Sequence, residues 1–120
     1  MNYDEQRELT RYIWDNYSNF RTVNENRAAM FMLLHQKAEL SKDPSSAAIL
    51  KQRASIFAGP EIAEALSCGN DVFKQRICAR IMAQHSSDLF INRCPKCGYI
   101  VRTPKARQCL WCSFDWHKSA

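Results

Sequence analysis

The sequence predicts a mainly α-helical protein: a compact bundle of about five helices, followed by a small C-terminal segment organised around cysteines. Three observations predict it. Apolar residues recur at helical spacing through most of the first ninety positions. Pro and Gly stand at the ends of those stretches rather than inside them. Four of the six cysteines fall in the last thirty residues as two C-x₂-C pairs. Residues 1–90 are therefore expected to form the bundle, and residues 91–120 a small unit packed on it.

Each helix has its own signature. Residues 4–20 repeat Leu9, Tyr12, Ile13, Tyr17 and Phe20 along one face. Thr22 stands three residues before Glu25, the capping-box spacing in which each side chain satisfies a free N–H of the other's backbone. A second helix from about Val23 to Leu40 follows; its middle, Ala28 to Leu34, is apolar nearly all round, as suits the central helix of a bundle. Asp43-Pro44 supplies a cap and a proline at the first helical position, opening a third helix that ends near Ala58. Gly59-Pro60 cannot continue it, and Pro60 starts a short fourth helix through Leu66, stopped by Gly69. Asn70 or Asp71 caps a fifth, with Phe73, Ile77, Cys78 and Ile81 on one face. Helical patterning ends near 88–92, where Leu89, Phe90 and Ile91 are expected to tuck the tail against the bundle.

Composition excludes several function classes. The 120 residues are 46% hydrophobic and 24% charged, the balance of a globular domain. With only 3 Gly, a glycine-rich phosphate loop is disfavoured. The longest apolar run, Ala28 to Leu34, is too short to span a bilayer, and the polar start lacks the apolar core of a signal peptide, so a cytoplasmic protein without membrane partners is expected. The net charge of +5 is concentrated at one end: residues 91–120 hold 6 Lys/Arg against 1 Asp/Glu.

Cys94, Cys97, Cys109 and Cys112 carry the clearest chemistry. Each C-x₂-C pair places two thiolates on a tight turn whose backbone N–H groups soften their charge. Gly98 frees the first turn, and residues 99–103 have strand propensity before the turn at Pro104-Lys105. Two such knuckles joined by a β-hairpin give a tetrahedral Cys₄ site for a structural Zn²⁺, with iron as the lesser alternative. Bound zinc would lower the charge of that end from +5 to about +3, since four thiolates and one Zn²⁺ sum to −2, which leaves a modest basic excess. So small an apolar content would not fold without the metal.

The run Asn92-Arg93-Cys94-Pro95-Lys96-Cys97-Gly98-Tyr99, together with Cys109-Leu110-Trp111-Cys112, resembles the zinc-ribbon or rubredoxin-like class. The ending Ser113-Phe114-Asp115-Trp116-His117 is similar to the tails of small, uncharacterised bacterial proteins with a helical front half. The resemblance covers about a quarter of the chain and implies metal binding on a ribbon fold. Ser113 departs from it, standing where the first knuckle has glycine.

Other candidates have plainer readings. His117 is a spare ligand or an exposed residue, and a Cys112–His117–Asp115 catalytic trio is disfavoured because zinc-held thiolate is a poor nucleophile. Cys78 reads as a buried small hydrophobe, while Cys68 precedes a helix-ending glycine with a reactive role unsupported. His35 and Glu39 form a surface i,i+4 pair, and His85 meets a helix C-terminus. Tyr3, Arg7 and Trp14 gather on a second face of the first helix, as anchors for a protein partner or as residues that pack against the third helix or the ribbon. Arg102, Lys105 and Arg107, with Arg93 and Lys96, ring the cysteine segment among Tyr99, Trp111, Phe114 and Trp116, which suits nucleic acid if those rings are not simply the segment's core.

No nucleophile–base pair, open metal position or carboxylate dyad is visible, so the sequence points away from an enzyme. The expectation is a bacterial zinc-binding protein that engages a protein partner, in the manner of a toxin-neutralising immunity protein or antitoxin. The alternative is a nucleic-acid-binding regulator that uses the basic ribbon.

Overall fold

A computed structural model describes residues 2–117. Met1 and residues 118–120, which fall within the two expected domain ranges, lie outside the described residues. The described residues are mainly helical, with five α-helices: α1 (Glu5–Asn16), α2 (Val23–Leu40), α3 (Pro44–Ser55), α4 (Pro60–Leu66) and α5 (Asn70–Gln84). Short 3₁₀ turns follow α1 at Ser18–Phe20 and α5 at Ser86–Asp88. No helix among the described residues is long and apolar enough to cross a membrane.

Contacts divide the chain into two compact units, residues 21–77 and residues 1–20 with 78–120. In the second of these, α1 is joined to the cysteine segment by bonds between residues far apart in sequence.

In the 21–77 unit, α2 packs on α3 and α4. Ala28, Ala29, Met32 and Ala38 of α2 are buried with Ala54 and Ile62. The capping box forms as its spacing requires: the Glu25 N–H donates to Thr22 Oγ1 at 3.2 Å, and the Thr22 N–H to Glu25 Oε1 at 2.8 Å. Asp43 caps α3 by accepting the Ser45 N–H at 3.1 Å, with Pro44 in the first turn. That helix ends at Ser55 rather than Ala58, and Ile56–Ala58 form a turn whose N–H groups reach back only three residues. The all-round apolar middle of α2 is covered on one side only, since Met30 and Leu33 stay exposed.

In the other unit, α1 lies against the C-terminal half of α5 and against the cysteine segment. Tyr12, Ile13, Cys78, Ile81, Ile100 and Val101 are buried there. The Cys78 thiol donates to the Thr10 carbonyl at 3.3 Å, which fits its expected role as a small buried group. Arg80 Nη2 donates to the Phe20 carbonyl at 2.9 Å, and the Phe20 ring stacks on His85 at 4.2 Å. The first helix stops at Asn16, short of residue 20. Asn16 Nδ2 bonds the Tyr12 and Arg102 carbonyls, and Tyr17 leaves helical geometry (φ −127°, ψ 39°) to reach the Phe90 carbonyl.

The expected β-hairpin between the knuckles is absent from the described residues, where only two isolated bridges occur, Arg93 with Ile100 and Gln108 with Asp115. Each bridge closes one knuckle instead of joining the two. The backbone that a hairpin needs is otherwise engaged: the Val101 N–H donates to Asn92 O, and the Ala106 N–H to Thr103 O. Asn92 Nδ2 takes the carbonyls of Thr103 and Ala106 at 3.0 and 2.9 Å. Pro104 has no N–H to give.

Candidate metal centre

The two knuckles repeat each other at an offset of fifteen residues. The Gly98 N–H donates to Cys94 O at 2.9 Å, and the Ser113 N–H to Cys109 O at 3.0 Å. The Cys94 N–H meets Tyr99 O at 2.9 Å, and the Cys109 N–H meets Phe114 O at 2.8 Å. Both turns need left-handed backbone: φ is +78° at Gly98 and +66° at Ser113. The second knuckle therefore adopts the geometry of the first, with a serine accepting the steric cost that glycine avoids.

These turns point four sulfurs at one place. The Sγ atoms of Cys94, Cys97, Cys109 and Cys112 all lie within 4.8 Å of one another. Two of the four edges between the knuckles, Cys94 to Cys112 and Cys97 to Cys109, are each 3.6 Å. A tetrahedron with Zn–S bonds of about 2.3 Å has edges of about 3.8 Å, so the donor set fits that ion in number, chemistry and size. Cys94 and Cys109 are buried, Cys97 is half-buried and Cys112 is exposed.

Amide donors complete the environment. Lys96 and Cys97 direct N–H groups to Cys94 Sγ at 3.4 and 3.5 Å; Trp111 and Cys112 do the same to Cys109 Sγ at 3.3 and 3.4 Å. Burial raises the Cys94 thiol pKa, but the amides of Cys97 and Lys96 and the adjoining thiols of Cys112 and Cys97 outweigh it and bring the value down to about 7. Burial pushes Cys97 up to about 12, against the lowering pull of the Tyr99 N–H and with help from the other three thiols. Protein groups alone thus move Cys94 and Cys97 in opposite directions. A divalent cation bound among the sulfurs would supply the charge that holds all four as thiolates.

Around the sulfurs lies a small apolar shell of Val101, Ala106, Trp111, Phe114 and Trp116. His117 is not among the converging donors and is paired instead with Asp115, through its own N–H and its ring Nδ1.

Long-range contacts fasten this centre to α1 and to Tyr3 before it, and for Tyr3 they match the expected alternative of packing against the cysteine segment. The Tyr12 hydroxyl donates to Phe90 O at 2.6 Å and accepts the Asn92 N–H at 3.3 Å. The Arg93 guanidinium forms a two-pronged pair with Glu5, at 3.1 and 2.7 Å. Tyr3, expected on a helical face with Arg7 and Trp14, precedes the helix because Asp4 caps it. Its ring stacks on Tyr99 at 3.8 Å, Trp111 meets it edge-on at 5.0 Å, and its hydroxyl accepts the Ile100 N–H at 3.0 Å. Partners separated by most of the chain leave no local signal in sequence.

Of the other expected contact residues, Arg7 and Arg102 border an open groove of about 500 Å³, shared with Arg11, Leu110 and Trp111. Trp14 is half-buried, and Lys105 and Arg107 are exposed. Comparison with family models, with curated proteins and with solved structures finds no match.

Proposed function

We propose that this chain is a non-enzymatic zinc-binding protein whose Cys₄ centre folds the C-terminal segment onto α1, and that it works by binding another protein. The convergence of four sulfurs carries the metal reading. Four protein thiolates complete the tetrahedral coordination of zinc and leave no position for a substrate, which supports a structural ion rather than a catalytic one. Thiolates that must stay reduced to bind metal suit the cytoplasm.

The groove beside the centre supports a protein partner. Leu110 is 55% exposed at its edge, with Trp111 and the guanidinium groups of Arg7, Arg11 and Arg102 nearby. Aromatic, apolar and Arg side chains in one concavity are the residue types that anchor protein interfaces. Toxin neutralisation is the specific form we favour, because occluding an effector needs a rigid surface and no chemistry.

A second reading has its own observation. Lys96 Nζ sits 5.9 Å from the Phe114 ring centre, and Phe114 stacks with Trp116 at 6.0 Å, bordering a shallow concavity with Pro95. A cation beside paired rings suits single-stranded nucleic acid.

Elemental analysis of the purified protein should find one zinc per chain. A protein complex assembled through the groove should weaken on Leu110→Asp and survive the triple change Lys96→Ala, Lys105→Ala, Arg107→Ala, whose side chains lie outside its lining. Nucleic acid would show the reverse pattern, with affinity falling steeply as salt rises.

A further inference from the structure

We propose that α2 is a self-association helix that pairs two copies of this chain antiparallel through a two-fold axis at its midpoint. The outward face of α2 carries Val23, Asn26, Met30, Leu33, Lys37 and Leu40, spaced alternately three and four residues apart, the seam of a coiled coil. At 100° per residue these six positions fall within an arc of about 100°. All are exposed: Val23 77%, Met30 41%, Leu33 43% and Leu40 82%, with Asn26 and Lys37 also open to solvent. Four large apolar side chains on one such stripe of a helix are more than solubility alone explains.

The order of the stripe selects its occupant. Read in either direction it runs apolar, polar, apolar, apolar, polar, apolar. In an antiparallel pair centred between residues 31 and 32, Val23 faces Leu40, Met30 faces Leu33, and Asn26 faces Lys37. Every apolar position meets an apolar one, and each Lys37 ammonium meets an amide that can accept its hydrogen bond. A parallel pair would set Lys37 against Lys37, a like-charge contact. Self-complementarity under a two-fold rotation is what an isologous dimer requires, so the partner is a second copy. The eighteen-residue helix is about 27 Å long, which gives a small, reversible interface with a dissociation constant on the order of 10–100 µM.

The test is sedimentation velocity on the zinc-loaded full chain in reductant, from about 1 µM to about 1 mM. The expected result is a concentration-dependent dimer. Asn26→Asp should tighten it about three- to tenfold by facing Lys37 with a carboxylate, and Asn26→Lys should loosen it by a similar factor. The double change Asn26→Lys, Lys37→Glu should restore association, because the new charges face each other only in the antiparallel arrangement. All of these positions are exposed, and circular dichroism is the check that each variant is folded. A monomer throughout the range would overturn the proposal. So would a dimer that ignores these changes, or one that Asn26→Asp weakens.

Discussion

The Tyr12 hydroxyl lies 2.6 Å from the Phe90 carbonyl, a bond between residues 78 positions apart that fixes the first helix to the entry of the cysteine segment. The same oxygen accepts the Asn92 N–H, and burial raises the Tyr12 pKa. Tyr12→Phe keeps the ring and removes both bonds. Stability should fall by about 1–2 kcal/mol in denaturant titration. Tyr17→Phe should cost less, because its bonds to Phe90 are exposed.

Asn92 is the matching position on the other side. It is 9% exposed, and its amide group serves the carbonyls that shape residues 103–106. Asn92→Ala should destabilise by about 1–3 kcal/mol through unsatisfied carbonyls. Asn92→Asp should be worse, since it turns a carboxylate toward those same oxygens. Thermal melts of the three proteins give the ranking.

Glu5 is held at a pKa of about 2 by the Arg93 guanidinium first, and by the Tyr3 hydroxyl second. A depressed carboxylate contributes stability that is full above its unfolded pKa, near 4.5, and lost as pH falls through about 2. Both side chains are nearly half exposed, so solvent screening holds the pair to about 1 kcal/mol or less. Glu5→Gln should flatten the stability profile between pH 4.5 and 2 while leaving its shape near neutrality unchanged. Urea midpoints across that range measure it.

The two knuckles differ at their left-handed residue, and stability should register the difference. Gly98→Ala meets open space but sits at φ +78°, so backbone strain alone should cost about 1–2 kcal/mol. Ser113→Gly should add up to about 1 kcal/mol by relieving the φ of +66°. Opposite signs at positions fifteen apart, read from melting temperatures of the zinc-loaded protein, are the expected outcome.

Metal removal should act regionally. A chelator, or Cys94→Ser, should strip hydrogen-exchange protection from the Cys94, Gly98, Cys109 and Ser113 amides, whose bonds close the knuckles. Amides within α2 and α3 should keep theirs, because those helices cover one another.

What could be read from the sequence was whatever is decided locally. Thr22 with Glu25, Asp43 with Pro44 and Gly59 with Pro60 place helix ends through contacts a few residues long, and the structure puts α2 and α4 where they predict. The four sulfurs were legible because ligand spacing fixes turn geometry. The end of α1, the turning of Tyr3 away from the helix and the loss of the hairpin were not. Each is decided by a distant partner: Phe90 and Arg102 for Asn16 and Tyr17, Tyr99 for Tyr3, and Asn92 for the loop.

The ion pair joining Glu5 to Arg93 spans 88 residues, and the other fastenings of α1 to this segment span similar distances. Translation at roughly 5–20 residues per second makes the helix wait roughly 4–18 seconds for its counterpart to be synthesised. During that interval the apolar side of α1, with Tyr12 and Ile13, has nothing from the cysteine segment to cover it. The nascent chain is therefore open to chaperones and proteases around α1 during that interval. Binding of an ion by the four sulfurs would be the late event that retires that vulnerability.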